Sequence, residues 1–305
     1  MSDHTQHFRS LKDARLGLQA LHRDGGTIGS VHTLGALHAG HGRVIELAAS
    51  ENDYAVITIY PNKAQLAPGT RYVYDLERDV QFAFDHGATH VISSHNGEMY
   101  PDTYRTFLDQ GACYSRLDGT VVPFLFRGMI TQCIRWILFV RPTRTYWGLK
   151  DIGQTVLVRR AIEDLLIDTE VREVPCIRFG SGMPISSRLL SLDEESLREV
   201  AHVYKAINIG RRSVANGERR SDRIIELVRA ELERLPLSIF RICYVKLAEP
   251  QDFLEPPEIT LPFILHVVIT NGKINHFDGV FIRDEKELYD GPDVLWLEEE
   301  WPTAR

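Results

Sequence analysis

Two histidines at i and i+3, His38 and His41, stand where a strand-like segment gives way to a helix-like one. The stretch opens with short and β-branched residues (Thr27, Ile28, Val31). It turns at Thr33 and Gly35, then resumes apolar residues at helical spacing at Val44, Ile45 and Leu47. A strand feeding a helix through a small-residue turn aims backbone N–H groups and a positive dipole end at one spot, which is a ready anion site. Histidines at this spacing share a helix face and can donate to the same anion. The chemistry indicated is phosphate binding at the edge of a parallel sheet, and the ordinary alternative is a pair of exposed or capping histidines. Three further groups carry chemistry-bearing side chains: Asn62 with Gln65, Lys150-Asp151 with Gln154, and Ser186-Ser187-Arg188. Taken singly these too have ordinary readings, as turn residues, a solvated ion pair and a helix cap.

The elements that would position these groups follow from the pattern of the chain. A chain of 305 residues, 44% hydrophobic, can bury a large core and suggests one large domain plus a smaller one. The net charge of −7 argues against a nucleic-acid binder with a general basic face, so any phosphate site must come from local groups. Cys113, Cys133, Cys176 and Cys243 form no CxxC pair, which indicates neither a metal site nor a disulfide framework. The polar N-terminus and the lack of a long apolar run point to a soluble, cytoplasmic protein with no membrane partner.

Ser10 to His22 reads as an amphipathic helix stopped by Asp24-Gly25-Gly26, and Tyr54 to Ile59 as a buried parallel strand. The loop from Pro61 to Thr70 follows at its C-terminal end. Helices are expected at Tyr74 to His86, Gly128 to Val140 and Thr155 to Leu166; strands at Thr89 to Ser93, Thr145 to Gly148 and Val171 to Ile177. The alternation means α/β, a Rossmann-like doubly wound parallel sheet over residues 1–188. From Leu192 the texture changes to two charged helices (Leu192 to Ala215, Arg220 to Leu235). Strands follow at Phe240 to Leu247, Leu265 to Thr270 and His276 to Ile282, with a hairpin turn at Asn271-Gly272. This is a smaller C-terminal α+β domain, residues 189–282, followed by an acidic, aromatic tail over 283–305.

In order along the chain, the four groups resemble the signatures of the pantothenate synthetase (pantoate–β-alanine ligase) family, in the nucleotidyltransferase superfamily with HIGH- and KMSKS-type motifs. The family pattern PTMGALHxGH stands here as His32-Thr33-Leu34-Gly35-Ala-Leu-His38-Ala-Gly40-His41. FVNPxQF stands as Tyr60-Pro61-Asn62-Lys-Ala-Gln65-Leu66, and GEKDxQQ as Gly148-Leu-Lys150-Asp151-Ile-Gly153-Gln154. RExDGLAxSSRN stands as Arg178 through Leu189, with Ser186-Ser187-Arg188 at its core. Smaller matches lie at Glu98 to Pro101, Phe126 to Gly128, Val158 to Leu165 and Gly272 to Gly279, so the resemblance spans roughly residues 10–282.

The resemblance implies an enzyme that activates a carboxylate with ATP and Mg²⁺ as an acyl adenylate and passes the acyl group to an amine. It implies that His38 and His41 donate to the triphosphate and that Lys150 places a positive charge near it. Ser186, Ser187 and Arg188 would clamp the leaving group. Thr33, Leu34, Gly40, Asp151 and the backbone around Gly148 and Ile177 would bind the nucleotide. Gln65 and Gln154 would hold oxygens of the acid, with Asn62 beside them. No dedicated protein metal site is implied, the partners are a small carboxylic acid and an amine, and a homodimer is expected.

The departures cluster in the acyl pocket. The family's proline and methionine are His32 and Leu34, its phenylalanine and valine are Tyr60 and Pro61, and the arginine and histidine of RPxHFRGV are missing before Met129. Small aliphatic positions become Gln132 and Cys133, a leucine becomes Trp136, and the first glutamine of QQ becomes Gly153. His32, Tyr60, Gln132 and Trp136 would make the acyl wall bulkier and more polar, with Met129 and Cys133 expected to line it beside them. The expectation is retained adenylation chemistry with a different hydroxy- or related acid. The alternatives are genuine pantoate–β-alanine ligase activity and transfer of AMP or CMP to a phosphate acceptor.

Overall fold

The computed structural model describes residues 5–66, 72–186, 188–189, 192–234 and 239–297. Ser187, part of the loop from Pro61 to Thr70, Leu235 and the last residues of the tail lie outside these. Two compact units emerge, neither continuous in sequence: residues 1–110, 124–147 and 157–174 form the first, and 111–123, 148–156 and 175–305 the second.

The first unit is built on a six-stranded sheet in the order β1-β4-β3-β2-β5-β6. Its strands are β1 (Gln6–Phe8), β2 (Ile28–Thr33), β3 (Tyr54–Ile59), β4 (His90–Ser93), β5 (Arg144–Gly148) and β6 (Glu170–Val174). The pairings β1/β4, β4/β3, β3/β2 and β2/β5 are parallel. Helices cover both faces, as apolar strands buried on two sides require. On one face α1 (Leu11–Asp24) and α5 (Leu125–Val140) join Ile28, Val56, Tyr60 and Ile92 in a cluster. On the other, α2 (Ala39–Glu51) and α3 (Leu76–Asp85) join Val31, Ile57, Ile59 and Val91.

The helix ends follow from the sequence. Ser10 caps α1 by accepting from Asp13 N, and Gly25 ends it in the left-handed region at φ 81°. The expected α/β class is thus present, and the strand order reverses between β2 and β5. At such a reversal the carboxyl ends of the strands are where doubly wound folds bind ligands. Thr33 ends β2 and Gly148 ends β5. A four-residue helix α4 (Asn96–Met99) and two 3-10 turns fill the loop-rich region before α5.

The second unit centres on a three-stranded antiparallel sheet in the order β10-β9-β8: β8 (Arg241–Ala248), β9 (Phe263–Thr270) and β10 (Asn275–Ile282). The long helices α7 (Glu194–Ala215) and α8 (Ser221–Arg234) pack together against it. The β9–β10 hairpin forms as expected, with a four-residue loop, because Asn271 Oδ1 accepts from both Lys273 N and Ile274 N. The segment α6 (Ile152–Asp164) runs from the second unit into the first.

One expectation needs correction. Val171 to Ile177 is two strands, not one: Pro175 has no N–H to continue a ladder. The chain leaves the six-stranded sheet at Val174 and starts β7 (Cys176–Phe179) in the second unit. The tail after Arg283 contains α9 (Glu285–Asp290) and β11 (Val294–Leu297), and β11 pairs in parallel with β7, Leu295 opposite Ile177. Among the described residues no helix is long and apolar enough to cross a membrane.

Candidate active site

In the first unit, the turn after β2 is held by hydrogen bonds to its own backbone. Gly35 and Ala36 take positive φ, 95° and 54°. The amides of Ala36 and Leu37 donate to the two oxygens of Asp79, 2.6 and 2.8 Å away, a buried carboxylate on α3. Burial pushes the Asp79 carboxyl up, against the lowering effect of those amides. The sequence reading missed Asp79. Its one signal was an acid set among the apolar positions Leu76, Val80 and Ala83 of an amphipathic helix. Thr33 donates to Thr58 O at 3.1 Å and so fixes the end of β2.

His38 and His41 form a capping box at the start of α2. Gly40 N donates to His38 Nδ1 at 3.1 Å, and His38 N donates to His41 Nδ1 at 3.3 Å. The rings are 4.1 Å apart between centroids. The capping reading and the anion reading are therefore compatible. With Nδ1 accepting from an amide, a neutral ring carries its proton on Nε2, and that atom is a donor. The structure thus brings together Thr33, Leu34, His38, Gly40 and His41 on one turn.

A second group lies after β3. Asn62, fully buried, donates through Nδ2 to Gln65 Oε1 (2.8 Å) and to Gly128 O (3.0 Å), and its Oδ1 accepts from Ala64 N. The close approach of α5 at Gly128 permits this: a Cβ there would sit 2.1 Å from Ala64 O. Tyr60 donates to Asn96 Oδ1 at 2.6 Å, and burial raises its hydroxyl well above the usual range. His32 is engaged at both nitrogens by hydroxyls, Ser30 Oγ and Thr58 Oγ1, and burial pushes it down to about 3. Met129 and Cys133 touch through sulfur at 3.6 Å, and burial pushes the Cys133 thiol up to about 12, so it is no nucleophile at neutral pH. Trp136 packs in the cluster that holds Tyr60. Gln132 is buried, yet neither amide atom has a hydrogen-bond partner. A buried orphan amide costs about 1–3 kcal/mol.

In the second unit, Gly148 leads into a 3-10 turn, Leu149–Asp151, that places Lys150 Nζ 3.1 Å from Asp151 Oδ1. Burial opposes the charge of Asp151, but Lys150 and Arg188 outweigh it and hold the carboxyl below the usual range. The Lys-Asp pair therefore sits in a cationic neighbourhood. Gln154 lies on the first turn of α6, where Thr155 Oγ1 bonds back to Gly148 O and Asp151 O. Ile177, on β7, accepts from Ile185 N and is buried. Ser186 Oγ accepts from Arg188 N, and the Arg188 guanidinium lies 5.4 Å from the Phe277 ring centroid. The loop between β7 and Ser186 is anchored by Arg178, which donates to Gly182 O at 2.9 Å and to both oxygens of Asp278. On β10, His276 is buried with Nε2 unpartnered, and burial pushes the ring down to about 3.

The site residues expected from sequence thus fall into two groups. Thr33 through His41, His32, Tyr60, Asn62, Gln65, Met129, Gln132, Cys133 and Trp136 belong to the first unit. Gly148, Lys150, Asp151, Gln154, Ile177, Ser186 and Arg188 belong to the second.

Comparison with known proteins bears on what these groups do. A family model described as pantoate-beta-alanine ligase matches residues 6–281. Pantothenate synthetase of Aquifex aeolicus is 34% identical over 254 residues, 82% of this chain and 89% of that protein. That of Roseiflexus sp. is 34% identical over 276 residues, 90% of this chain and 96% of that one. The crystal structure of pantothenate synthetase from Thermus thermophilus superposes with a TM-score of 0.84 at 27% identity, covering 92% of this chain and 100% of that one. Pantoate-beta-alanine ligase from Francisella tularensis, crystallised with Beta-gamma ATP and β-alanine, shares the fold at a TM-score of 0.72 and 22% identity, covering 91% and 97%. Matched over nearly its whole length, the chain belongs to the pantoate–β-alanine ligase family, ATP-dependent, AMP-forming enzymes that join a carboxylic acid to an amine through a C–N bond.

Proposed function

We propose that the chain activates a hydroxylated carboxylic acid other than pantoate as its acyl adenylate and couples it to an amine such as β-alanine or another amino acid. The observation that supports retained adenylation chemistry is the pair of histidines whose Nδ1 atoms are committed to backbone amides. Their Nε2–H groups suit the oxygens of a triphosphate at a helix N-terminus. In the first step a carboxylate oxygen attacks the α-phosphorus and pyrophosphate leaves. In the second the amine attacks the acyl carbon, AMP departs and the amine loses a proton.

Both steps crowd negative charge, so stabilisation by preorganised donors is the expected mode. His38, His41, Lys150, Ser186, Ser187 and Arg188 serve the phosphates; Thr33, Leu34, Gly40, Gly148, Asp151 and Ile177 serve the nucleoside and its cradle. Asn62, Gln65 and Gln154 hold the acid, against a wall of His32, Tyr60, Met129, Gln132, Cys133 and Trp136. Among the described residues no group of three or more His, Cys, Asp or Glu is placed to hold a metal ion. Mg²⁺ would enter on ATP, liganded mainly by phosphate oxygens, as is usual for this ion. The division at 188/189, a lid domain over 189–282, a homodimer and a cytoplasmic location belong to the same proposal.

The acid is read as different from pantoate because its wall carries a buried amide, a thiol and a tyrosine. Genuine pantoate–β-alanine ligase activity is the second reading, favoured by 34% identity to a pantothenate synthetase across 90% of the chain. ATP–pyrophosphate exchange with a panel of acids separates them. Acid-dependent exchange that Lys150→Met lowers by on the order of 100-fold supports the ligase chemistry. Brisk exchange with pantoate at low concentration removes the claim of a different acid.

A further inference from the structure

Gln132 is 4% exposed, and both its carbonyl oxygen and its amide nitrogen lack a hydrogen-bond partner. Buried amides in folded proteins are almost always satisfied, so an amide with neither atom paired points to a partner that the chain itself does not supply.

Its position says which ligand. Gly128, Gln132 and Trp136 recur every four residues along one stripe of α5. At Gly128 the stripe meets the Asn62–Gln65 turn, through the bond from Asn62 Nδ2 to Gly128 O. At Trp136 it joins the cluster containing Tyr60. Gln132 therefore sits between the turn proposed to hold the acid and the aromatic wall behind it. Asn62, Tyr60 and Cys133 already have partners of their own. Asn62 is bonded through both amide atoms, the Tyr60 hydroxyl donates to Asn96, and the Cys133 thiol is turned to Met129.

The chemistry of the missing partner follows from the amide itself, which offers donors and an acceptor side by side. A methyl group answers neither, an ionised carboxylate only accepts, and an ammonium only donates. A hydroxyl does both through one atom. We propose that Gln132 is a specificity-determining residue that hydrogen-bonds a hydroxyl on the acyl substrate, at a carbon which in pantoate carries only methyl groups. This rests on the ligase reading above and names the class of acid: a small polyhydroxylated carboxylate.

The test uses the full chain and three acids that share the 2,4-dihydroxybutanoate skeleton. They differ at the third carbon, which bears two methyls (pantoate), no substituent, or one hydroxyl (2,3,4-trihydroxybutanoate). The readout is kcat/KM for acid-dependent ATP–pyrophosphate exchange, beside calorimetric binding of ATP. The trihydroxy acid is expected to be the best of the three. Gln132→Met should lower its kcat/KM roughly 10- to 100-fold and shift preference toward pantoate. The free Gln132→Met protein should melt at the same or a higher temperature, since it loses an orphan amide. Gln132→Leu serves if the Met variant fails to fold, and the wild-type ranking decides if both do. A folded Gln132 variant with unchanged selectivity, or a wild type that prefers pantoate, overturns the inference and leaves ligase chemistry standing. No exchange with any of the three acids while ATP binds overturns both.

Discussion

Replacing Arg178 with methionine should destabilise the second unit severely, and the structure says by how much. Arg178 and Asp278 are each 1% exposed and meet through two bonds, Nη2 to Oδ1 at 2.6 Å and Nη1 to Oδ2 at 2.9 Å. The guanidinium also donates to Gly182 O and Gly279 O, and lies 3.8 Å from the Tyr204 ring centroid. Removing one partner of such a pair leaves a buried charge uncompensated, at a cost of about 3–5 kcal/mol. Replacing both with apolar residues is close to neutral.

The expected series by urea denaturation is therefore a large loss for Arg178→Met and most of it recovered in Arg178→Met/Asp278→Leu. The pH dependence gives a second reading. Burial opposes the Asp278 charge, but Arg178 outweighs it and holds the carboxyl below its ordinary value. In the wild type that pair stabilises above the unfolded carboxylate pKa, and its contribution fades as pH falls through the folded one. Without Arg178 the main lowering influence is gone, burial is opposed only by the Gly279 amide and His276, the folded pKa moves up, and the defect grows as pH rises from acid to neutral. A loss under about 1 kcal/mol, or a double variant as weak as the single, would refute the assignment of this pair as the anchor. Exchange activity should fall with Arg178→Met, because the Gly182 tether steadies the loop that leads to Ser186.

Two other outcomes follow from the same geometry. Gly128→Ala puts a Cβ 2.1 Å from the Ala64 carbonyl oxygen, so α5 must part from the Asn62–Gln65 turn; a stability loss of about 1–3 kcal/mol is expected, with a raised KM for the acid. Gly180→Ala, where nothing lies within 4 Å, is the control that should leave stability unchanged. His276 is neutral when folded, since burial, helped by Lys150, Arg178 and Arg188 and opposed by Asp278, pushes it from 6.5 to about 3. Between those values the unfolded chain binds the extra proton, so stability rises with pH and is lost as pH falls, by up to about 1.4 kcal/mol per unit. His276→Leu should flatten that slope between pH 5 and 6, and parallel urea midpoints for the two proteins would count against it.

Much of the α/β part was legible because its signals are local. Tyr54–Ile59 is six residues of buried strand between turn residues, and β3 has those bounds. The four motifs were legible as an ordered set. What escaped depended on partners far away in the chain. The run over 171–177 is β-branched and apolar enough for one strand, but Pro175 hands its two halves to different sheets. The four residues of β11 are a strand because β7 offers an edge, and nothing in Val-Leu-Trp-Leu among acidic neighbours announces that edge. Asp79 left only its place among apolar positions as a signal, for a similar reason: its partners are amides of Ala36 and Leu37, and amides leave no trace in residue type. Gln132 could be placed on a wall from its position, but its lack of a partner is a property of the surroundings.

The histidine pair shows why the two sequence readings of His38 and His41 could not be separated by spacing. An N-cap and its N3 residue are three apart, and so are two donors on one helical face. The structure shows the cap, and the cap is compatible with the proposed anion binding. Each cap needs Nδ1 unprotonated to accept an amide, and that places the proton of the neutral ring on Nε2. Protonating either ring at Nδ1 would turn the acceptor into a donor, release an amide at the start of α2 and loosen the turn that Asp79 holds from the other side. The cap therefore sets the tautomer that the proposed phosphate binding would use. A substitution that keeps only the cap, such as His38→Asn, would put a carboxamide where the chemistry calls for the reach of an imidazole.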